Sequence, residues 1–411
     1  MELNKENLDL ISSQYGESFY ILDTEQFVKN YNNLLGAFRK YYSNSHIAYS
    51  YKTNYTPRLC YLINSMGGFA EIVSDMEGEI AYKIGVNPSN IYFNGPYKNI
   101  DFVEKLLLDG GCVNIDSINE LRAIIKIANK HKDKKLNIAI RLNFDIKSGI
   151  LSRFGIDVCS LEFINVIEEI KNTPNLYLKG LHSHFASRNI LYWPNRIKGL
   201  IEVIEKHFKG YCFEFIDLGG GLFGNMKESL KKQFDSVIPN YEDYAKSVCI
   251  EFDNYFKNYK NKPMLFIEPG TALAGDSMKF VSKVVNIKDV LGKKIATLLG
   301  SIYNINPTLN TKNPPITVVN MGNSTKYYEN LDFVGFTCIE SDYLYKNYNG
   351  NLAIGDYVIF ENVGSYSVVL KPPFILPNFA VIEINEDKIE VVKRKECFDD
   401  LFKTYKFEFE G

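Results

Sequence analysis

Residues 112–132, CVNIDSINELRAIIKIANKHK, place a short β-rich run directly before an amphipathic helix. The apolar residues of the second part recur at the spacing of one helix face: Leu121, Ile124, Ile125 and Ala128. This period is typical of a helix that packs on one side against a core. Ser117 followed by Glu120 is a capping-box pattern, so the helix is expected to begin directly after the strand. The stretch therefore predicts one strand–helix unit.

The same alternation extends over most of the first 270 residues. Eight β-rich runs recur, with helical patterns between them: HIAYSY (46–51), GFAEIVS (68–74), NIYFNG (90–95), CVNID (112–116), NIAIRLN (137–143), LKGLHSHF (178–185), FEFIDLG (213–219) and MLFIEPG (264–270). Strands that alternate with helices form a parallel sheet. Eight such units in about 225 residues match the size of a TIM-like (β/α)8 barrel.

The pattern changes after about residue 276, where β-rich runs follow one another without long helices. These runs are MKFVSKVVNI (278–287), ITVVN (316–320), YVIF (357–360), SYSVVL (365–370) and FAVIEI (379–384). They indicate an all-β domain. An early run, FYIL (19–22), precedes the barrel and is expected to join this domain. We therefore predict a barrel over 27–275 and a β domain formed by 1–26 and 276–411.

The composition excludes several classes of protein. Lys and Arg number 47 against 49 Asp and Glu, which gives a net charge of −2. Nucleic-acid binding through bulk charge needs many phosphate-neutralising side chains, so a nucleic-acid partner is not expected. No apolar run approaches about 18 residues, and the start MELNKENLDL has no apolar segment, so neither a membrane span nor a signal peptide is expected.

The seven cysteines are widely spaced and form no C-x-x-C pair. This spacing predicts neither a disulfide framework nor a metal site. A reducing compartment suits such thiols, so a cytoplasmic location is expected.

Reactive residues follow several of the predicted strands. Lys52, His184, a glycine triplet at 219–221 and Glu268 would converge at one end of the barrel, where active sites of this fold are built. A lysine can form a Schiff base with an aldehyde, and a glycine loop can bind a phosphate through its N–H groups. A carboxylate can hold a pyridinium proton, and an imidazole can stack on an aromatic ring. Together these groups describe a site for pyridoxal phosphate.

Longer motifs appear in one order along the chain. They are AYSYKTN (48–54), EIVSDMEGE (71–79), IDSINEL (115–121), RLN (141–143), SRFGI (152–156), GLHSHFAS (180–187), IDLGGGLFG (216–224), IEPG (267–270), TCIESD (337–342) and FENVGSYSV (360–368). In these segments the chain resembles the barrel-type pyridoxal-phosphate amino-acid decarboxylases, the group that includes diaminopimelate and ornithine decarboxylases. The resemblance covers nearly the whole chain. Ala186 stands where the family's G-L-H-x-H-x-G-S segment has glycine.

The resemblance implies the roles of individual residues. The implied cofactor-binding set is Lys52, Arg141, His184, Ser187, Gly219, Gly220, Gly221, Glu268, Gly270 and Tyr366. Lys52 and Cys338 are the implied catalytic residues, with Cys338 as the proton donor to Cα. The family is dimeric, so Cys338 is expected to act in the barrel of a partner subunit. A carboxylate at Glu268 favours decarboxylation over racemisation, since the similar alanine racemases have arginine there.

The family's substrate-binding positions differ in this chain. The pattern E-P-G-R ends in Thr271, and R-P-x-L-Y appears as NPTLN (306–310); the acid expected after the cysteine is one place later, at Glu340. The candidate substrate residues are Thr271, Tyr303, Asn306, Asn310, Glu340 and Asp342. Thr and Asn cannot replace the bidentate grip of arginine on a carboxylate.

These differences lead to a hypothesis about the substrate. The chain would convert an atypical amino acid, or an amino-acid conjugate, to an amine in siderophore or other specialised metabolism, rather than act on plain meso-diaminopimelate, lysine or ornithine. The alternatives are a diaminopimelate decarboxylase of lysine biosynthesis, an amino-acid racemase or epimerase, and a homologue without catalysis.

Overall fold

The computed structural model describes residues 1–322, 324–386 and 388–407. Two units account for the chain. The first unit, called here the barrel unit, comprises 28–223 and 236–272, and the second, the β unit, comprises 1–27, 224–235 and the residues from 273 onwards.

Eight parallel strands form a closed ring in the barrel unit. In chain order they are Ser45–Ser50, Phe69–Ile72, Ile91–Phe93, Cys112–Ile115, Leu136–Asn143, Leu176–His182, Phe215–Asp217 and Met264–Ile267; below they are strands 1 to 8. Each strand pairs with its successor, and strand 8 pairs with strand 1. A two-residue strand, Ile156–Asp157, adds to strand 5. The predicted (β/α)8 barrel is confirmed.

Helices lie between the strands. Their bounds are Thr24–Arg39, Pro57–Ser65, Asp75–Lys83, Ile100–Leu108, Ile118–Lys130, Leu161–Lys171, Trp193–His207, Tyr241–Phe256 and Thr271–Ala274. At the helix predicted from its capping pattern, the side chain of Ser117 accepts a hydrogen bond from the N–H of Glu120 at 3.3 Å. The Glu120 carboxylate accepts in turn from the N–H of Asp116, one residue before the cap. The local signal thus placed the helix start correctly.

Aromatic side chains fill part of the barrel interior. Phe69, Cys112 and Phe215 each begin their strands; Cys112 and Phe215 form a buried cluster with Tyr92 and Phe266, and the partly buried Phe69 packs against it. The rings of Tyr92 and Phe215 have centroids 5.0 Å apart in an edge-to-face arrangement. Each such pair stabilises the core by about 0.5–1.5 kcal/mol beyond its buried area. Because this apolar layer lies toward the amino ends of several strands, the carboxyl ends are available for polar groups.

The β unit is built on a mixed sheet. Its strands are Ser18–Leu22, Met278–Val290, Lys293–Leu298, Ile316–Val319, Lys326–Val334, Tyr343–Leu352, Tyr357–Phe360, Ala380–Asn385 and Lys388–Lys393. Helices Lys5–Tyr15, Glu228–Lys231, Ile302–Ile305 and Phe398–Phe402 complete the unit. The early strand predicted from FYIL pairs antiparallel with Met278–Val290 and parallel with Ala380–Asn385, which confirms that it joins this domain.

One predicted strand of the β unit is wrong. Residues 365–370, SYSVVL, form turns, and Tyr366 has a left-handed backbone with φ of +61°. The preceding Gly364 is packed so tightly that a Cβ there would lie 1.8 Å from the carbonyl oxygen of Ala274. The β-rich composition was therefore overridden by close backbone packing. In the described part of the chain, no helix is long and apolar enough to span a membrane.

Candidate active site

Lys52 lies just beyond strand 1, in a short turn of 3₁₀ helix, Tyr51–Thr53. Its Nζ forms an ion pair of 2.5 Å with Oε2 of Glu71, whose side chain is fully buried in strand 2. This contact fixes the amine at the carboxyl end of the barrel. Sequence reasoning identified Lys52 but missed Glu71, although an acid inside a short buried strand is a signal in itself.

Asn94 connects the two carboxylates of the site. It follows strand 3, and its Nδ2 donates to Oε1 of Glu71 at 3.0 Å and to Oε1 of Glu268 at 2.5 Å. Its own Oδ1 accepts a hydrogen bond from Asn114 of strand 4. A continuous polar chain therefore runs from Lys52 through Glu71 and Asn94 to Glu268.

Glu268 follows strand 8 and is buried. Burial acts to raise its pKa, but the hydrogen bond and charge of His182 and the charge of Lys52 bring the net shift below the ordinary value. His182 Nε2 lies 3.3 Å from Oε2 of Glu268. Beside them, burial and the charge of Glu268 raise the pKa of Asp217 well above its usual range. These surroundings favour the ionised form of Glu268 and the protonated form of Asp217.

The same three side chains carry the atoms of a possible metal-ligand set. Ligand atoms of His182, Asp217 and Glu268 lie within 4.8 Å of one another. Carboxylates bind metals in their deprotonated form, so the raised pKa of Asp217 acts against metal binding at these three side chains.

His184 lies in the loop after strand 6. Its Nδ1 accepts a hydrogen bond of 2.8 Å from the N–H of Gly220. Desolvation, together with the charges of Arg141 and Lys52, lowers the pKa of His184 well below its usual range. The ring is therefore neutral near pH 7, which suits packing against a cationic aromatic ring.

The glycine triplet after strand 7 has a geometry that only glycine satisfies. Gly219 and Gly221 have φ of +68° and +93°. A Cβ on Gly220 would lie 2.5 Å from the carbonyl oxygen of Glu268, and one on Gly221 would lie 2.9 Å from that of Ser187. The loop therefore presents bare backbone beside Ser187 and the loop after strand 8, the form expected of a phosphate cradle.

Arg196 holds two of these loops together, and sequence reasoning missed it. It is fully buried in the helix Trp193–His207. Its Nη1 donates to the carbonyls of Leu218 and Gly220, and its Nη2 donates to those of Phe185 and Ser187. No short motif marks this residue, because its partners are main-chain atoms from two distant segments.

Arg141 stands on strand 5 and is buried. Its Nη1 lies 3.6 Å from Oδ1 of Asp116, and its guanidinium carbon lies 4.8 Å from the ring centre of Phe154. The N–H of Gly155 donates to the same Asp116 carboxylate at 3.0 Å. Arg141 therefore anchors the loop containing SRFGI. A cavity of about 160 Å³ lies between this loop and the loop that carries His184.

Gly270 and Thr271 follow Glu268 in the barrel unit, and the other predicted residues belong to the β unit. Cys338, Glu340 and Asn310 are exposed, and Tyr303 and Tyr366 are half-buried. Asn306 is buried and donates to the carbonyl of Leu309, within its own turn.

Asp342, a predicted substrate residue, accepts hydrogen bonds on both carboxylate oxygens. It is buried, and one carboxylate oxygen accepts hydrogen bonds from Ser301 Oγ and the N–H of Ile302. The other accepts from Thr337 Oγ at 2.5 Å. Asp342 therefore holds the turn that carries Cys338.

The barrel residues fit pyridoxal phosphate. Lys52 supplies an amine, Glu268 an ionised acceptor for a ring-nitrogen proton, and His184 a neutral ring. The glycine loop supplies space that a Cβ would fill. The fold and these groups, at the carboxyl ends of the strands, are typical of a barrel enzyme that uses pyridoxal phosphate.

Comparison with known proteins identifies the family. Residues 28–275 match the model of the pyridoxal-dependent decarboxylases, pyridoxal binding domain. The chain therefore belongs to the pyridoxal-dependent decarboxylases. It is an amino-acid carboxy-lyase that depends on pyridoxal phosphate.

Individual relatives carry a narrower description. A diaminopimelate decarboxylase of Bacteroides thetaiotaomicron is 28% identical and covers 86% of this chain and 91% of its own length. One of Archaeoglobus fulgidus is 26% identical over 89% of this chain and 88% of its own length. The crystal structure of diaminopimelate decarboxylase from Methanocaldococcus jannaschii aligns with a TM-score of 0.87, covering 98% of this chain and 94% of that one. At 23% identity, that likeness shows the fold alone.

Proposed function

We propose that this enzyme removes one α-carboxylate of meso-diaminopimelate. The names of the curated relatives support this substrate, which the sequence left as an alternative, over an atypical amino acid. The observation that carries the reaction type is the polar chain from Lys52 to Glu268, which links an amine and an ionised acid. A specialised-metabolite substrate remains a second candidate, because Thr271 and Asn306 stand where arginines are expected.

The side chains divide the work of the reaction. When bound, pyridoxal phosphate supplies an electron sink for the bond that breaks. Lys52 would hold the cofactor and exchange protons at its Nζ. Glu268 would keep a proton on the ring nitrogen, and the neutral imidazole of His184 would suit a place against the ring. Ser187, Gly270 and the glycine loop would hold the phosphate, while Arg141 anchors the loop that contains SRFGI.

The substrate assay separates the candidates. Purified enzyme loaded with pyridoxal phosphate is offered meso-diaminopimelate, L-lysine and L-ornithine, and released carbon dioxide and amine products are measured. We expect carbon dioxide and lysine in equal amounts from meso-diaminopimelate, and no release by the Lys52→Ala control. Efficient release from either other amino acid, with none from meso-diaminopimelate, would reject this substrate.

We propose that two subunits share each active site, with Cys338 giving its proton in the barrel of the partner. The exposure of this thiol supports the proposal. Lys52→Ala and Cys338→Ala, each inactive alone, are mixed and allowed to exchange subunits. Random pairing gives one intact site in half of the dimers, so about one quarter of wild-type activity should return. If the subunits exchange but no activity returns, Lys52 and Cys338 of the same chain act in one site.

Two other expectations stand as proposals. We propose that boundaries near residues 27 and 275 separate two domains, which limited proteolysis with mass spectrometry would locate. We also propose a reducing cytoplasmic location, supported by seven cysteines that are all free. Cell fractionation tests the second proposal.

A further inference from the structure

The guanidinium of Arg188 lies where three loops of the barrel meet. Arg188 belongs to the loop after strand 6, and its Nη2 is 3.4 Å from Oγ1 of Thr271, which follows strand 8. Its guanidinium carbon lies 5.5 Å from the ring centre of Phe223, in the loop after strand 7. The positive charge of Arg188 is thus held at the carboxyl ends of the strands, beside Thr271.

The backbone that carries this charge is fixed on both sides. The carbonyl of Arg188 accepts a hydrogen bond of 2.6 Å from the hydroxyl of Tyr244. The carbonyl of the preceding Ser187 accepts one of 2.9 Å from Arg196. Arg188 itself is only partly buried, so a small anion from solvent can reach it. A fixed backbone lowers the entropy lost when the side chain binds a ligand.

We propose that Arg188 binds the distal carboxylate of the substrate, the one that is not removed. This inference rests on the proposed function, since it requires a dicarboxylic amino acid in the barrel. A guanidinium matches the geometry of a carboxylate, which it can hold by two parallel hydrogen bonds. Position 271 has threonine where the family pattern has arginine. Arg188, which contacts Thr271 from the neighbouring loop, would supply the positive charge in its place.

The phosphate of the cofactor is the other anion near this loop, because Ser187 and Gly221 are adjacent. Two measurements distinguish binding of the distal carboxylate from binding of the phosphate. Binding of pimelate, a seven-carbon dicarboxylate, probes the distal site, and heptanoate is its matched monocarboxylate. Quenching of the single tryptophan, Trp193, by added pyridoxal phosphate reports affinity for the cofactor.

The experiment compares Arg188→Gln with wild type and with Arg153→Gln, which removes another arginine beside His184. For the holoenzyme with Arg188→Gln, we expect the inhibition constant of pimelate to rise about 10- to 100-fold. Constants for heptanoate and pyridoxal phosphate should stay within about threefold. The exchange Arg188→Thr with Thr271→Arg should restore pimelate binding, and it carries the test where Arg188→Gln does not fold.

Several outcomes overturn the inference. An unchanged pimelate constant, equal weakening of pimelate and heptanoate, or a change confined to Arg153→Gln each excludes a distal-carboxylate role for Arg188. If Arg188→Gln weakens binding of pyridoxal phosphate but leaves the ratio of the pimelate and heptanoate constants unchanged, Arg188 binds the phosphate. Failure of wild type to decarboxylate meso-diaminopimelate contradicts the proposed function alone, because inhibition can be measured with whichever amino acid the enzyme accepts.

Discussion

Replacing Arg196 by methionine tests whether one buried cation holds the cofactor loops in place. The side chain donates four hydrogen bonds of 2.7–3.1 Å to main-chain carbonyls of Phe185, Ser187, Leu218 and Gly220. Methionine has similar length and fills the space, but it leaves all four carbonyls without this donor. The change therefore removes the link between the loops after strands 6 and 7 and preserves the volume.

The expected loss follows from these contacts. A hydrogen bond to a charged group contributes about 1.5–3 kcal/mol, so four would give an upper limit of about 6–12 kcal/mol. Burial offsets part of this, since desolvation lowers the pKa of Arg196 to about 9. The charges of Tyr244 and Glu268 act in the opposite direction, and the guanidinium is still charged at neutral pH. A buried acceptor left without its donor costs about 1–3 kcal/mol before the structure relaxes, and we expect the free energy of unfolding to fall by about 3–5 kcal/mol for the four carbonyls together.

Urea denaturation of the enzyme without cofactor measures the loss. Titration with pyridoxal phosphate should also show affinity about 10- to 100-fold weaker, because the loop backbone is no longer held. Arg122→Met is the matched control: Arg122 forms an exposed ion pair with Glu169, and solvent screening leaves such a pair little effect on stability. If Arg196→Met loses less than about 1 kcal/mol and binds cofactor normally, the loops are held by other contacts and the reasoning is refuted.

Three further predictions concern single side chains. Glu268→Gln removes the negative charge that holds a ring-nitrogen proton, so kcat for carbon dioxide release should fall about 10²- to 10³-fold. Burial lowers the pKa of Lys371 from 10.5 to about 7, so its burial penalty is full below pH 7 and disappears as pH rises to 10.5. At pH 7, Lys371→Met should therefore have a free energy of unfolding about 1–3 kcal/mol higher than wild type in urea denaturation. This difference should shrink as the pH rises toward 10.5. Asp342→Asn weakens the bonds to Ser301, Ile302 and Thr337, and should cost about 1–3 kcal/mol in the same assay.

Each of the three has a control. Normal kcat in Glu268→Gln, with cofactor bound, would remove this carboxylate from the mechanism. The exposed Lys388→Met should leave stability unchanged at every pH, and a pH-independent gain in Lys371→Met would exclude titration as its cause. For Asp342→Asn, the exposed Asp145→Asn is the comparison; equal stability of the two variants would show that the Asp342 turn is held otherwise.

Much of the barrel site was predictable because each residue lies in a local pattern. Lys52, His184 and Glu268 each follow a strand, and strand and helix periods are read from neighbouring residues. The partners of these residues were not predictable in the same way. The contacts of three such partners join atoms from separate strands and loops: Glu71, Asn94 and Arg196. Residue spacing along the chain does not predict such contacts.

Backbone geometry accounts for the main error in the β unit. SYSVVL has the composition of a strand, yet Tyr366 adopts a left-handed conformation beside a glycine that closely contacts the carbonyl of Ala274. Such a conformation costs about 1–3 kcal/mol and persists only when surrounding packing imposes it. Composition carries no information about that packing.

The barrel as a whole shows the same division between local pattern and tertiary contact. The sequence alone predicted a (β/α)8 barrel, a β domain that includes an early strand, and a lysine–histidine–glutamate set for pyridoxal phosphate. These follow from local periods and from the chemistry of residues at strand ends. Only the tertiary structure decided that aromatic rings fill the barrel interior, that Arg196 joins two loops, and that Arg188 brings a cation to Thr271. The physical reason is that charge, burial and hydrogen bonding depend on distance in space, and a closed barrel makes neighbours of residues more than 80 positions apart in the chain.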